Sequence, residues 1–320
     1  MGALSQAEYL PRSAMSIHAH PDDQEFTVAG TLAKWARAGC QIVSVIITSG
    51  DAGSNHPEHD ETYKPILARL REREQRAANR VLGIQETIFL GYPDGELEPS
   101  IALRKDLTRL IRKYKPEVVV IGDPQAVFYG SGYINHPDHR AAAQAALYAV
   151  FPSAETRLIF PDLLKEGYEP HRVRRVYIHG VEKPDAWVDI SDTIAIKIKA
   201  LRKHKSQLEG WNPAKLIREW AMAQGREKGL RYAEAFKVMY PNEEQPENRS
   251  SQSRSKEQQS CTDRCQGDSE VVHIWKGERL DRRGQQGKQR QRQEVTLERL
   301  WEDVTPDIHP HDERRQSEAA

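Results

Sequence analysis

Ala14-Met-Ser-Ile-His18-Ala-His20-Pro21-Asp22-Asp23-Gln-Glu25 is the stretch on which the reading of the fold turns. Residues 14–18 are short and apolar, as a buried strand is, and Pro21 makes the chain leave that strand sharply. From 25 to 38 the residues Phe26, Ala29, Leu32, Ala33 and Ala36 recur at helical spacing, and Gly39 stops the helix. Residues 41–48 are a near-continuous β-branched run, which predicts a strand covered on both faces.

The same alternation continues outward. The pattern predicts a charged amphipathic helix over 66–82 ending at Gly83, a strand over 87–90 and a helix over 101–114. A doubly apolar strand over 117–121, an Ala-rich helix over 139–151, a strand over 173–178 and a helix over 193–208 follow. Strands of this kind alternating with helices predict a parallel sheet with helices on both faces, a Rossmann-like α/β layer fold.

The chain of 320 residues suits one large domain with an extension. Basic and acidic residues number 47 each, and that balance argues against a dedicated nucleic-acid binder. Past Tyr240 the composition changes. Residues 241–320 hold 14 basic and 17 acidic residues, 11 Gln, and only 11 of Val, Ile, Leu, Met, Phe and Trp, too few to build a core. The expectation is therefore a folded domain over 1–240 and a polar, disordered extension over 241–320. Cys261-x-x-x-Cys265 with His273 has poor spacing for zinc and lacks an evident fourth ligand. An odd set of three cysteines, no signal-peptide build at the start and no apolar run of ~18–20 residues predict a soluble cytoplasmic protein without a membrane anchor. A homo-oligomer is compatible with all of this.

In parallel α/β sheets, ligands bind in the crevice beyond the carboxyl ends of the strands. His20, Asp22 and Asp23 stand there, after the first strand. A second segment, Asn135-His136-Pro-Asp138-His139, lies between the strand over 117–121 and the next helix, so both clusters face one crevice. Two imidazoles and a carboxylate can hold a metal and leave positions open for water and substrate. Of two adjacent carboxylates, one can ligate while the other serves as general base. A zinc-bound water with its pKa lowered toward ~7 is a nucleophile at neutral pH, so the set suits metal-assisted hydrolysis of a carbonyl compound.

These motifs resemble those of the LmbE-like (PIG-L) family of zinc-dependent N-acetylglucosaminide deacetylases. The resemblance extends through Thr48-Ser-Gly-Asp-Ala-Gly-Ser54, Arg71-x-x-Glu74 ahead of Leu82-Gly83, Pro93-Asp-Gly95 and His204-Lys-Ser-Gln207, over roughly 14–240. It implies a Rossmann-like fold with His20, Asp23 and His139 as zinc ligands and Asp22 as general base. His136 would stabilise the oxyanion or protonate the departing amine. Arg71, Asp94 and Tyr133 become candidates for substrate contact. Two departures stand out. Gln24 intervenes before the acid at Glu25, and Ile134 occupies the place where some members carry a Tyr, with Tyr133 one step further off.

Plainer readings compete at several positions. Asp22 and Asp23 can cap a helix, and Asp138 is expected to orient an imidazole or cap rather than ligate. His139 opens a helix, where a cation is unfavourable and a neutral, metal-bound ring is the natural state. His18 reads as a packed histidine, and His56-Pro-Glu-His59 as a mobile surface or lid segment. The run Arg69, Arg71, Arg73, Arg76 has the spacing of a solvated helix face, and His204 reads as a surface residue.

The reading that follows is a deacetylase acting on a small N-acetylated amino sugar with Zn(II), a site that can also accept Fe(II). Its rivals are an amidase on a thiol-sugar conjugate, a non-haem Fe(II) oxygenase using the same two-His, one-carboxylate set, and a non-catalytic, metal-stabilised binding module.

Overall fold

A computed structural model describes residues 9–241. Its strands are β1 (Ser13–His18), β2 (Gln41–Thr48), β3 (Glu86–Tyr92), β4 (Val118–Gly122), β5 (Phe128–Tyr129), β6 (Tyr133–Ile134), β7 (Arg175–His179), β8 (Ala186–Asp189) and β9 (Ala233–Met239). The helices are α1 (Asp23–Thr27), α2 (Ala29–Arg37), α3 (Lys64–Leu82), α4 (Ile101–Tyr114), α5 (Pro137–Tyr148), α6 (Asp162–Lys165), α7 (Ile194–Leu201), α8 (Lys205–Leu208) and α9 (Ala214–Arg226). Seven strands form one sheet in the order β3-β2-β1-β4-β7-β9-β8. β3 through β7 pair in parallel, and β9 runs antiparallel to both β7 and β8.

Side chains alternate along each strand, so the doubly apolar runs feed two cores. Ala14, Ile42, Val118 and Val120 pack with Leu32, Trp35, Ala78, Ile198 and Ile217 from α2, α3, α7 and α9. Met15, Ile17, Val45, Val119 and Ile121 pack with Leu103, Leu107, Ala142 and Ala146 from α4 and α5. Helices thus cover both faces, as expected.

Three expectations change in detail. The helix expected over 25–38 starts at Asp23 and breaks at Val28, whose φ of −121° and ψ of 5° are not helical. The helix expected over 193–208 divides at His204, whose φ of −81° and ψ of 61° end one helix and begin another. The sheet also gains β8 and β9, so it is mostly rather than wholly parallel. Residues Phe128–Ile134 form a separate small unit, a hairpin with Phe128 opposite Ile134 and Tyr129 opposite Tyr133. Among the described residues no helix is long and apolar enough to cross a membrane. The expected extension beyond 241, with its Cys261, Cys265 and His273, lies outside the described residues.

The order β3-β2-β1-β4-β7 reverses direction between β1 and β4. That reversal opens a crevice at the carboxyl ends of the two strands. The loop after β1 carries His20, Asp22 and Asp23. The connection after β4 leads to His136 and His139.

Candidate metal centre

The turn after β1 is built around a strained residue. Asp22 has φ 93° and ψ −24°, the left-handed region that non-glycine residues rarely adopt. The Asp22 amide donates to Gln75 Oε1 at 2.9 Å, and its carbonyl accepts from the amides of Glu25 at 2.9 Å and Phe26 at 3.1 Å. This kink sends the two neighbouring carboxylates to different partners. Asp22 Oδ2 lies 3.3 Å from Arg71 Nη2. Asp23 turns toward the imidazoles, its Oδ1 3.1 Å from His139 Nε2 and its Oδ2 3.6 Å from His20 Nδ1. Asp23 Oδ2 also accepts the His20 amide at 2.8 Å.

His20 is held on its other edge. Its Nε2 lies 2.9 Å from Asp94 Oδ1 and 3.3 Å from Asp138 Oδ2. Asp138 is fully buried and accepts from the amides of Gly95 at 2.8 Å and Leu97 at 3.3 Å. Asp94 Oδ2 accepts the Ala52 amide at 2.8 Å. On the second segment, His139 Nδ1 meets Asn135 Oδ1 at 3.0 Å, which leaves Nε2 for Asp23. His136 caps α5, its Nδ1 accepting the Asp138 amide at 3.2 Å. A neutral ring in that arrangement carries its proton on Nε2.

The charges follow from this geometry. Burial alone would lower the pKa of His20, but Asp23, Asp138 and Asp94 push it up to about 12. Burial also works against the cation at His139, and Asp23 again outweighs it and raises the pKa. The unfavourable helix start is thus overcome by a carboxylate at contact distance. Burial pushes Asp22 up to about 6, with Arg71 partly opposing the shift. Burial and the neighbouring His20 lower His136.

A small cation fits here by donor chemistry and by spacing. One nitrogen from His20, one from His139 and one carboxylate oxygen of Asp23 lie within 4.8 Å of one another. Around zinc, bonds of ~2.0–2.2 Å to N and O place tetrahedral neighbours roughly 3.3–3.5 Å apart; Asp23 Oδ1 is 3.1 Å from His139 Nε2, and the other oxygen, Oδ2, is 3.6 Å from His20 Nδ1. His20, His136 and Asp138 form a second such group. There, however, Asp138 already accepts two amides and faces the protonated edge of His20, the arrangement of a carboxylate that orients a metal-ligating histidine.

The other expected residues are placed as follows. Arg71 is buried, donating from Nη1 to Gly50 O at 2.9 Å and from Nη2 to Pro21 O at 2.7 Å. Its helix face is therefore the reverse of solvated, with Glu74, Gln75 and Asn79 also buried. Tyr133 lies in the hairpin and is exposed. His18 is packed as expected, its Nδ1 3.1 Å from Ser16 Oγ and its Nε2 3.1 Å from His179 Nε2. His56 and His59 are at the surface, with His59 stacked on Tyr63. His204 corrects the surface reading: it is fully buried, its Nε2 3.3 Å from Glu25 Oε2. Sequence reasoning missed Gln75, which has no motif of its own, and read Glu25 only as part of the first motif without its buried partners. The available signal was a polar residue four positions after Arg71, on the same helix face.

Residues 15–150 match the family described as PIG-L, GlcNAc-PI de-N-acetylase. Diacetylchitobiose deacetylase of Thermococcus kodakarensis is 32% identical over 233 residues, 71% of this chain and 83% of that protein. The 1D-myo-inositol 2-acetamido-2-deoxy-alpha-D-glucopyranoside deacetylase 2 of Saccharopolyspora erythraea is 31% identical over 238 residues, 61% of this chain and 83% of its own. Among solved structures, N,N'-diacetylchitobiose deacetylase from Pyrococcus horikoshii in complex with its inhibitor MPG matches with a TM-score of 0.64 and 33% identity. The match covers 72% of this chain and 84% of that one.

Proposed function

The chain belongs to the PIG-L (LmbE-like) family and is a deacetylase, and from that premise we propose that it uses zinc to remove the acetyl group from an N-acetylglucosamine-type conjugate. One observation carries the reading. Asp23 offers its two oxygens to His20 and His139, while the adjacent Asp22 is turned aside and kept free of the ligand set. The substrate class rests on what the relatives' names share, an N-acetylated glucosamine unit. The domain that does this work spans 1–240.

His20, Asp23 and His139 would hold the ion, which supplies a Lewis acid and a water of lowered pKa when bound. Asp22 is the general base. With its pKa pushed up to about 6, its carboxylate is ionised at neutral pH yet basic enough to take a proton from water and pass it to the departing amine. His136, neutral and carrying its proton on Nε2, donates to the oxygen that gains charge as water attacks the acetyl carbon.

Arg71 and Asp94 act as positioning groups in this reading rather than as substrate contacts. The Arg71 fork is engaged by two loop carbonyls and by Asp22, so it holds the base. Asp94 and Asp138 hold His20 by Nε2 and so leave Nδ1 for the ion. We assign Tyr133 no role.

The test is acetate release from a panel of N-acetylglucosamine derivatives, before and after chelation and with zinc restored. Chelator-sensitive acetate production that zinc restores is the expected result. Zinc-dependent cleavage of a cysteinyl amide without acetate would move the reading to a thiol-sugar amidase. A protein that takes up no metal would overturn the ligand set.

A further inference from the structure

Beneath the turn that carries Asp22 lies a buried polar layer that the chemistry above leaves unused. Gln24, Glu25, Gln75, Asn79 and His204 are each fully buried. Gln75 sits at its centre, and both ends of its amide are engaged. Its Oε1 accepts the Asp22 amide at 2.9 Å. Its Nε2 donates to Glu25 Oε1 at 3.1 Å and Oε2 at 3.2 Å, and to Asn79 Oδ1 at 3.2 Å.

The orientation of that amide is dictated by charge. A carboxylate accepts and cannot donate, so the NH2 end must face Glu25 and the oxygen must face Asp22. Glu25 Oε1 also accepts from Gln24 Nε2 at 2.7 Å, and its Oε2 lies 3.3 Å from His204 Nε2. The strut therefore runs from α3 to both ends of the turn, bonding Asp22 just before α1 and Glu25 inside it.

We propose that Gln75 is a positioning residue for deacetylation: it holds Asp22 in the left-handed conformation that separates the base from the metal-ligating Asp23. Any residue but glycine resists a φ of 93° and persists there only where its surroundings over-determine it. Arg71 restrains the Asp22 side chain. Gln75 restrains its backbone, and α3 supplies both from one face, four residues apart. Without the Gln75 acceptor the buried Asp22 amide has a reason to rotate toward another partner. The carboxylate then swings with it, because φ sets the direction of its Cα–Cβ bond.

This inference rests on Asp22 as the base, so Asp22→Ala is measured alongside. Gln75→Met keeps the volume of the side chain and removes both hydrogen-bonding ends. The expected result is a kcat at least about tenfold lower, since small misplacements of reacting groups can cost up to ~10²-fold, with KM within about twofold and metal content unchanged. A role confined to packing would lower stability or metal content and leave the kcat of the loaded enzyme alone. Gln75→Glu alone sets two carboxylates against each other, and adding Glu25→Gln restores an acceptor facing Asp22 and a donor facing position 75, so kcat recovers relative to Gln75→Glu alone. If Gln75→Met fails to fold, that coupling decides by itself: recovery upholds the strut, and additive losses overturn it. Unchanged kcat in folded, metal-loaded Gln75→Met, or a loss seen only in KM, also overturns it. Full activity in Asp22→Ala would instead sink the general-base assignment beneath it.

Discussion

Asp22 and Asp23 are neighbours in one turn, yet their surroundings push them in opposite directions. Burial raises Asp22 to about 6. At Asp23 burial acts the same way, but His139 and His20 outweigh it and hold the carboxyl well below its ordinary range. In the proposed reading, the first shift suits a group that exchanges protons and the second a carboxylate that stays ionised as a ligand. Asp22→Ala should therefore keep its metal and lose about 10²–10⁴ in turnover, the usual worth of a general base. Acetate release and metal analysis on the same preparation check it. A second expectation concerns His20. In the metal-free chain its pKa of about 12 means that the ring is protonated at pH 7. A metal binds only the neutral imidazole, so loading must expel that proton, and uptake must weaken as pH falls. Calorimetry in buffers of different ionisation enthalpy should show at least about one proton released per ion. Zero net release would mean either that His20 is already neutral in the metal-free chain or that it stands outside the ligand set.

At the scale of elements, the start of α2 depends on a charge delivered by a residue 204 positions further along the chain. Glu234 on β9 accepts the amides of Gly30 at 2.9 Å and Thr31 at 2.7 Å, as a carboxylate does at a helix start. Lys197 on α7 donates to Glu234 Oε1 at 2.7 Å and to Thr27 O at 2.8 Å, and both charged groups are buried. Lys197→Met leaves the carboxylate buried without its cation and should cost about 3–5 kcal/mol in urea unfolding. Lys197→Met with Glu234→Gln should cost less, since neither charge is then stranded. The same contact explains what was legible beforehand. β1, β2 and α4 were readable because their apolar spacing is complete within each segment. β9 was not, because Glu234 and Lys237 interrupt the pattern and their partners, Lys197 and Asp185, are remote in sequence. The site divides in the same way. His20, Asp23 and His139 stand in two short motifs that announce themselves. The layer of Glu25, Gln75 and His204 exists only once α1, α3 and the bend at 204 are brought together. Arg71 illustrates the cost of local reading, since arginines at helical spacing suggest a solvated face and here one of them is buried among carbonyls.

At the scale of the whole molecule, the described residues, 9–241, hold both apolar clusters and the candidate metal centre. Met239 pairs with Val176, and Pro241 O accepts from Arg172, so the chain is needed to about that point. Beyond it the composition offers 11 strong apolar residues in 80, too few to supply a missing part of either cluster. A chain ending at Glu244 is accordingly expected to fold with an unchanged melting temperature, to bind one metal ion, and to release acetate at the full-length rate. Comparing the two chains on one small substrate and on one larger conjugate makes the result informative in either direction. Equal rates on both would place the whole reaction within 1–244. A loss on the larger conjugate alone, with metal content and melting temperature preserved, would show that 245–320 contributes to substrate engagement and not to the chemistry. A lower melting temperature would contradict the compositional argument, because it would mean that so polar a segment does complete a core.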